Sequence, residues 1–234
     1  MDRPRVGPAA DAVNAQAEHR ATRRYDSTRR RAAAEQTRMR ILTAARELFI
    51  TNGYAATTIA AIARDAEVSP DTVYATVGRK PVVFRELIEI ALSGTAHAVP
   101  GARRDYAVRM RAEPDIGAKL RIYADAVTAL QSRLSPLFVV LRAAADADPD
   151  LADLWTEITR RRADNMRHLA ADLAGSGRLR ADLTIDEVAD IIWTMNGSEY
   201  FTLLVVERGW TRERFADWLH DAWCRLLVVT PPTG

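Results

Sequence analysis

The chain has 234 residues, which is enough for one medium-sized domain or for a small domain followed by a larger one. Its formal net charge is only +2, but residues 1–52 hold 11 arginines against 6 acidic residues. Because the rest of the chain is close to neutral, this uneven charge indicates a polyanionic partner near the N-terminus.

The composition also excludes several classes of protein. No apolar run approaches the ~20 residues that a membrane-spanning helix needs, and the first residues lack the apolar segment of a signal peptide. The single cysteine, Cys224, excludes an intramolecular disulfide framework and fits a reducing compartment. We therefore expect a cytoplasmic protein without a membrane partner.

Residues 1–30 contain proline, glycine, alanine and scattered arginine without periodicity, which predicts a disordered arm, at least without DNA. Two interpretations of the arm stay open. It inserts into a minor groove, where narrow A·T tracts attract arginine, or it is a solvated, non-specific tail. The arginines concerned are Arg20, Arg23, Arg24, Arg29, Arg30 and Arg31.

The first helix is predicted from about residue 32 to residue 51. Ile41, Ala45, Leu48 and Phe49 form its core face, and Gly53 is a plausible stop.

Residues 57–80 then predict two short helices joined by a tight turn. In the first, Ile59, Ile62, Ala63 and Ala66 form one apolar stripe, and Thr57 or Thr58 can cap its start. In the second, Ser69 is a good N-cap, and Pro70 suits the first helical position. Val73 and Val77 face inward, whereas Thr72, Tyr74 and Thr76 face outward. This is the pattern of a helix-turn-helix, whose second helix enters the major groove of DNA.

The run from Ile41 to Leu87 closely resembles the DNA-binding domain of TetR family transcriptional regulators. The matching pieces are ILTAARELFITNGY (41–54), TTIAAIARDA (57–66), VSPDTVY (68–74) and Lys80 before an amphipathic helix. The turn has Glu67 where the family often has glycine. The later part of the chain resembles, more loosely, the helical ligand-binding and dimerisation half of such regulators.

The resemblance implies the DNA-contacting residues. Phosphate contacts would come from hydroxyl, amide and lysine groups, and base contacts from the outward face of the second short helix. Asp71 could accept a hydrogen bond from a cytosine amine, or it could merely complement the helix dipole. Tyr74 can pack on the first helix and still offer its hydroxyl. The predicted contacts are Thr57, Thr58, Ser69, Pro70, Asp71, Thr72, Tyr74 and Lys80, with Ala75 as a further base-reading position and Arg29, Arg30 and Arg31 from the arm.

The remaining sequence predicts further helices. A helix from about Pro81 is followed by a mobile connection over residues 94–114. Three helices are predicted next: the first over residues 115–134, the second from Ser135-Pro136 to about residue 147, and the third over residues 149–174. Thr184 to Glu187 is a capping box that opens another helix, with a bend at Asn196-Gly197. Thr211 opens the last helix. We therefore predict an all-α protein: a three-helix DNA-binding domain and a larger helical domain.

The last two helices carry more large apolar residues than a solitary surface pair requires. A four-helix interface between two subunits would bury them, although an ordinary intramolecular core is the alternative. The residues are Trp193, Phe201, Leu204, Phe215, Trp218, Trp223 and Leu226.

A small-molecule pocket is expected between residues 115 and 193, since residue types that line such sites occur there. For each residue, simple core packing is the alternative. The candidates are Tyr123, Phe138, Trp155, Met166, His168, Trp193 and Asn196. Four scattered histidines lack metal-ligand spacing, and no catalytic motif is evident, so we expect no cofactor, no metal and no enzyme.

These observations predict a division into residues 1–30 (arm), 31–80 (DNA-binding domain) and 81–234 (ligand-binding and dimerisation domain). The predicted function is a transcriptional regulator, and more specifically a repressor. It would bind a palindromic operator in double-stranded DNA as a homodimer and be released by a small-molecule effector. The alternative is a small-molecule binding protein or enzyme of the same fold that has lost its DNA affinity.

Overall fold

The structure, a computed structural model, describes residues 8–95, 97 and 99–229, with the side chains of residues 8–28 left aside. Within these residues the chain is helical, and the only strand-like pairing is one antiparallel bridge between Leu179 and Val228. The all-α prediction is confirmed. The helices are α1 (Pro8–Ala56), α2 (Ile59–Asp65), α3 (Pro70–Thr76), α4 (Lys80–Ser93), α5 (Asp105–Ala112), α6 (Ile116–Ala145), α7 (Pro149–Ala174), α8 (Ile185–Met195), α9 (Ser198–Phe201) and α10 (Arg212–Leu227).

Helix α1 begins earlier than predicted. The expected start near residue 32 is wrong, because the helical backbone already begins at Pro8. Between Pro8 and Gly53 there is no proline or glycine, and alanine and arginine are good helix formers, so nothing stops the helix. The predicted stop is observed: Gly53 leaves helical geometry with φ 75° and ψ 171°. The predicted disorder of the arm without DNA is corrected for residues 8–30, whose backbone is helical, and residues 1–7 lie outside the described residues.

Two predicted connections within the helical body differ from the structure. Helix α6 runs through Pro136 without the expected restart, because the residues on both sides of the proline are buried and packing offsets its lost hydrogen bond. The segment expected to be a mobile connection contains a 3₁₀ turn (Gly101–Arg103) and α5. Met110 anchors α5, since its side chain is buried in the core beside α6.

Other predicted boundaries are confirmed. Helix α7 has the expected range, and Thr184 and Glu187 form the capping box at the start of α8. The bend after α8 occurs at Asn196 and Gly197, and α9 then passes into a π-helical turn (Thr202–Glu207). Thr211 caps α10, its hydroxyl oxygen accepting a hydrogen bond from the Arg214 amide.

The core consists of two apolar clusters. One joins α1–α4 to the C-terminal half of α6 and the N-terminal half of α7. The other joins α5, the N-terminal half of α6 and the C-terminal half of α7 to α8, α9 and α10. The helix-turn-helix therefore rests on α4, α6 and α7 through a continuous core, and α6 and α7 reach from one cluster to the other.

Candidate nucleic-acid interface and ligand cavity

Helix α3 is half buried and half exposed, as its sequence predicted. Val73 is fully buried and holds the helix against the core. Ser69 caps the helix, its Oγ accepting from the Thr72 amide at 3.1 Å and lying 2.9 Å from the Thr72 hydroxyl. The opposite face is open to solvent, and Tyr74 is 51% exposed. Of the predicted contacts, Ser69, Pro70, Asp71, Tyr74 and Ala75 are exposed here, and Thr72 is partly exposed.

The turn between α2 and α3 keeps its geometry without glycine. Glu67 adopts φ 55°, in the left-handed region that side chains disfavour. Its amide donates to the Arg64 carbonyl at 3.1 Å, and the Val68 amide donates to the Ala63 carbonyl at 2.9 Å. These two bonds secure the turn at some cost in backbone strain.

Thr57 and Thr58, both predicted to contact DNA, have different environments. Thr58 is exposed and caps α2, with its Oγ1 accepting from the Ala61 amide at 3.1 Å. Thr57 is only 1% exposed, and its Oγ1 lies 2.8 Å from the Gly53 carbonyl oxygen and 3.1 Å from that of Leu48. The hydroxyl of Thr57 therefore fastens the end of α1, and the prediction that it contacts DNA is corrected.

Lys80 lies where α4 meets the end of α1. Its Nζ donates to the Tyr54 carbonyl oxygen at 3.0 Å and sits 4.1 Å from the centre of the Tyr54 ring. The ring is itself buried between Phe49 and Phe84. An ammonium has three donors, so two of them are not used by this carbonyl. The phosphate contact of Lys80 stays a prediction, now with a fixed position for the ammonium.

The arginines of the arm lie on α1. Arg29, Arg30 and Arg31 are exposed, whereas the side chains of Arg20, Arg23 and Arg24 lie outside the described residues. Whether any of them enters a groove of DNA stays a prediction.

A cavity of about 90 Å³ lies between α6, α7 and the end of α8. Four of the predicted ligand-binding residues, Tyr123, Phe138, Met166 and Asn196, line it together. Apolar side chains cover most of the wall. They include Leu92, Val127, Leu130, Leu134 and Ile158.

A chain of hydrogen bonds crosses this cavity's wall. Arg162 donates to Asn196 Oδ1 at 2.7 Å, and Asn196 Nδ2 donates to the Tyr123 hydroxyl at 2.8 Å. That hydroxyl donates in turn to Met166 Sδ at 3.2 Å. Burial raises the pKa of Tyr123, so the phenol stays neutral. The backbone carbonyl oxygen of Asn196 also accepts a hydrogen bond from Gln131 Nε2, at 2.6 Å.

The cavity lining contains three arginines and no aspartate or glutamate. Arg161 is paired, with Glu89 at 2.8 Å and Glu157 at 3.3 Å. Arg162 has no ion-pair partner among the described residues, and burial lowers its pKa. Its guanidinium carbon lies 4.8 Å from the centre of the Trp193 ring. The Arg104 side chain donates from Nε to the Val99 carbonyl oxygen at 3.3 Å, and no ion-pair partner for it lies among the described residues.

A second cavity of about 300 Å³ adjoins the first and shares Tyr106, Tyr123, Asn165 and Met166 with it. His168 lines this second cavity. Two predicted ligand-binding residues line neither cavity. Trp155 packs against Phe138, and Trp193 offers its carbonyl oxygen to Arg162 at 3.0 Å.

Sequence reasoning missed Tyr106, Arg104, Gln131 and Arg162. A signal existed for Gln131, because it lies eight residues after Tyr123 and four after Val127, and so interrupts the apolar face of α6. For Arg162, within the run 160–162, nothing in the sequence distinguishes the partly buried arginine from the exposed Arg160. Tyr106 and Arg104 lie in the segment that was expected to be mobile.

The apolar residues predicted to form a dimer interface fall into two groups. Phe201, Phe215 and Trp223 are buried within this chain, as the intramolecular alternative held. Leu226 is 41% exposed, and Leu204 and Trp218 are partly exposed. The nearby Leu203 and Val206, on the π-helical turn, add exposed apolar surface.

Charged pairs connect α4 to the wall of the cavity. Arg85 on α4 pairs with Glu157 on α7 at 2.5 Å, and Arg161 next to the cavity pairs with Glu89 on α4. Arg133 on α6 donates to the Ala91 carbonyl oxygen at 3.2 Å. Helix α4 is therefore held by side chains that lie on or beside the cavity lining.

Other kinds of site find no support in the described part of the chain. Within residues 8–95, 97 and 99–229, no group of three or more histidine, cysteine or acidic side chains is arranged to hold a metal ion. None of the helices over these residues combines the length and apolar character needed to cross a bilayer.

Comparison with known proteins places the helix-turn-helix in a family. Residues 41–80 match the family model of the bacterial regulatory proteins of the tetR family. Residues 41–80 are a TetR-family domain. No curated protein matches the chain.

Solved structures extend the likeness to most of the chain. NalD of Pseudomonas aeruginosa, the secondary repressor of the MexAB-OprM multidrug efflux pump, is similar with a TM-score of 0.64 and 21% identity, covering 84% of this chain and 98% of NalD. The fatty acid degradation regulator FadR of Bacillus halodurans has a TM-score of 0.63 and 17% identity, over 80% of this chain and 94% of FadR. A protein assigned as a transcriptional regulator of Saccharomonospora viridis, in complex with choline, has a TM-score of 0.61 and 18% identity, over 82% and 98% of the two chains. At these identities the likeness shows the fold alone.

Proposed function

We propose that this protein is a homodimeric, DNA-binding transcriptional repressor that a small-molecule effector releases from a palindromic operator. The exposed outer face of α3, on a TetR-family helix-turn-helix, carries this proposal. Residues 31–80 would form the DNA-binding domain and residues 81–234 the ligand-binding and dimerisation domain.

The DNA contacts would come from both sides of α3. Pro70, Asp71, Thr72 and Ala75 would face the bases, while Ser69 and Tyr74 would reach phosphates. Thr58 at the start of α2 and Lys80 at the start of α4 would contact the backbone on either side. Asp71 is the one acidic group among them, so its carboxylate would either accept a hydrogen bond from a cytosine amine or lie away from the phosphates.

The dimer would form through α8 to α10. Support comes from the exposed apolar side chains there, among them Leu203, Val206 and Leu226, since such a group on a soluble protein marks an interaction surface. One small domain reads few base pairs, and a two-fold dimer would double the site and require a palindrome.

The effector would act through α4. A ligand in the cavity would compete for or reposition Arg161, whose partner Glu89 belongs to α4. Since α4 shares its core with α1, α2 and α3, a shift of α4 would change the separation of the two DNA-binding domains. NalD is named as a repressor, and the S. viridis protein holds a small ligand, which makes both halves of the proposal reasonable for this fold.

The test is a fluorescence anisotropy titration with DNA from the region upstream of the protein's own coding sequence. We expect a complex that prefers this DNA over a scrambled duplex and weakens as salt increases. Arg212→Ala serves as a control variant, because Arg212 is exposed on α10. A protein that binds no duplex preferentially, while ligands bind its cavity, would favour the alternative of a small-molecule binding protein without DNA affinity.

A further inference from the structure

The cavity next to Arg162 has a charge that its own walls do not neutralise. Among the described residues, its lining holds Arg104, Arg161 and Arg162 without any carboxylate, and Arg161 alone of the three has ion-pair partners there. A desolvated guanidinium without a counter-ion is costly, and a ligand carboxylate with two parallel oxygens is its best geometric partner.

The guanidinium of Arg162 is also only partly satisfied. Both of its hydrogen bonds, to Trp193 O and Asn196 Oδ1, come from one terminal nitrogen. Guanidinium has five N–H donors, so Nε and the other terminal nitrogen carry three that have no partner among the described residues. The bonds that are made hold the side chain in place, which leaves these donors preorganised.

A buried acceptor lies in the same wall. Gln131 is 3% exposed, and its amide orientation is determined by the 2.6 Å bond from Nε2 to the Asn196 carbonyl oxygen. Its Oε1 is buried with no hydrogen-bond partner among the described residues. Natural proteins rarely leave such an atom unsatisfied, so we expect a water there that donates one hydrogen bond to Oε1 and can donate the other to a ligand carboxylate.

The space beside these polar groups is mostly apolar, although Arg111, His168 and Asp172, whose carboxylate pairs with Lys119, also line the adjoining cavity. Val127, Leu134 and Phe138 line the inner cavity, and Met110 and Leu169 line the adjoining cavity of about 300 Å³. Tyr106, Tyr123 and Met166 are common to both walls. An apolar ligand body could extend along these shared residues while its charged group stays beside Arg162.

We propose that the effector is a small organic anion, with a carboxylate that Arg162 and Arg104 bind and an apolar aromatic or aliphatic body that the adjoining cavity accepts. The proposal rests on the ligand-responsive function proposed above and names the chemical class of the ligand. The pKa of Arg133 on α6 is lowered by burial first and then by the positive charge of Arg104, and this second cause agrees with the proposal.

Three carboxylates, benzoate, 3-phenylpropionate and octanoate, test the proposal, each against its neutral amide, with 3-phenylpropylamine as a cation of matched shape. Binding is measured by isothermal titration calorimetry on the DNA-free full chain, so that failure of DNA binding does not affect the result. We expect at least one carboxylate to bind, its amide to bind roughly tenfold or more weakly, and the amine not to bind. An amide or amine that binds as tightly as its carboxylate, or the absence of binding by all three carboxylates to about 1 mM, would overturn the proposal.

Variants locate the anion within the cavity. Arg162→Gln should weaken carboxylate binding by roughly 10- to 100-fold and leave amide binding within about twofold. Because Arg162 also fastens Asn196, Arg104→Gln provides a second variant with little structural role and a smaller loss of the same kind. Arg160→Gln removes an equal charge from an exposed position of α7 and should change nothing. Carboxylate affinity that is unaffected in a folded Arg162→Gln or Arg104→Gln protein, or equally reduced by Arg160→Gln, would contradict the assignment.

Discussion

Replacing Asn196 by leucine tests the hydrogen-bond chain that forms the cavity wall. The side chain accepts from Arg162, which is partly buried, and donates to the hydroxyl of Tyr123, which is buried. A hydrogen bond to a charged group contributes about 1.5–3 kcal/mol and a neutral one about 0.5–1.5 kcal/mol. Leucine has a similar volume but neither bond, so we expect Asn196→Leu to lower the free energy of unfolding by about 2–4 kcal/mol.

The assay is urea denaturation followed by tryptophan fluorescence, at one fixed protein concentration because dimerisation would link stability to concentration. In thermal unfolding the same loss corresponds to a fall in Tm of about 4–16 °C for a chain of this size. The control is Thr194→Ala, at an exposed position of α8 two residues before Asn196, and it should have little effect on stability.

Asn196→Asp sharpens the test. It retains an acceptor for Arg162 and gives it the missing opposite charge, so we expect most of the stability to be retained, to within about 1 kcal/mol of the natural protein. If Asn196→Leu costs less than about 1 kcal/mol, or if the aspartate variant is the less stable of the two, the network does not contribute as its geometry implies.

Three further predictions concern other parts of the fold. Glu67→Gly should raise the free energy of unfolding by up to about 1 kcal/mol, because glycine adopts φ 55° without strain, although its freer unfolded state offsets part of the gain; a lower urea midpoint would contradict this. Thr57→Val should lower the free energy of unfolding by about 1–3 kcal/mol, while the folded variant binds DNA normally. Weaker DNA binding without a loss of stability would show that Thr57 contacts DNA after all. The hydrogen bond from Arg85 holds the pKa of Glu157 below its ordinary 4.5, so the stabilisation from this ion pair is present above pH 4.5 and is lost as the pH falls through the lower folded-state pKa. Glu157→Gln should remove this part of the acid unfolding transition. An unchanged pH profile of stability would contradict this prediction.

The sequence predicted those features of the fold that depend only on residues close together in the chain. The cap at Ser69, the capping box at Thr184 and the proline that opens α7 are interactions within one helical turn, so the sequence alone specifies them. Pro136 shows the limit, since its local preference for a helix start is overridden by burial of both flanking turns. Local patterns do not record that packing.

The candidate sites were predicted less evenly. The outer face of α3 follows from helical periodicity, and its exposure agrees with the prediction. Thr57 was assigned to DNA because it adjoins a helix start, but its hydroxyl is taken by the carbonyls that the break at Gly53 releases, a tertiary detail. In the cavity, aromatic residues were recognised by type, whereas Arg162 was not, because only the three-dimensional structure shows which arginines of the run 160–162 line the cavity.

The most direct test of the account is the salt dependence of binding to the cognate duplex for the natural protein and for Tyr74→Ala. Tyr74 is exposed and packs little, so the variant should remain folded. We expect weaker binding to every duplex and a slope of log affinity against log salt that is shallower by up to about 1, as for the loss of one phosphate contact. Identical affinity and slope in the two proteins, with both folded, would show that the outer face of α3 does not meet DNA.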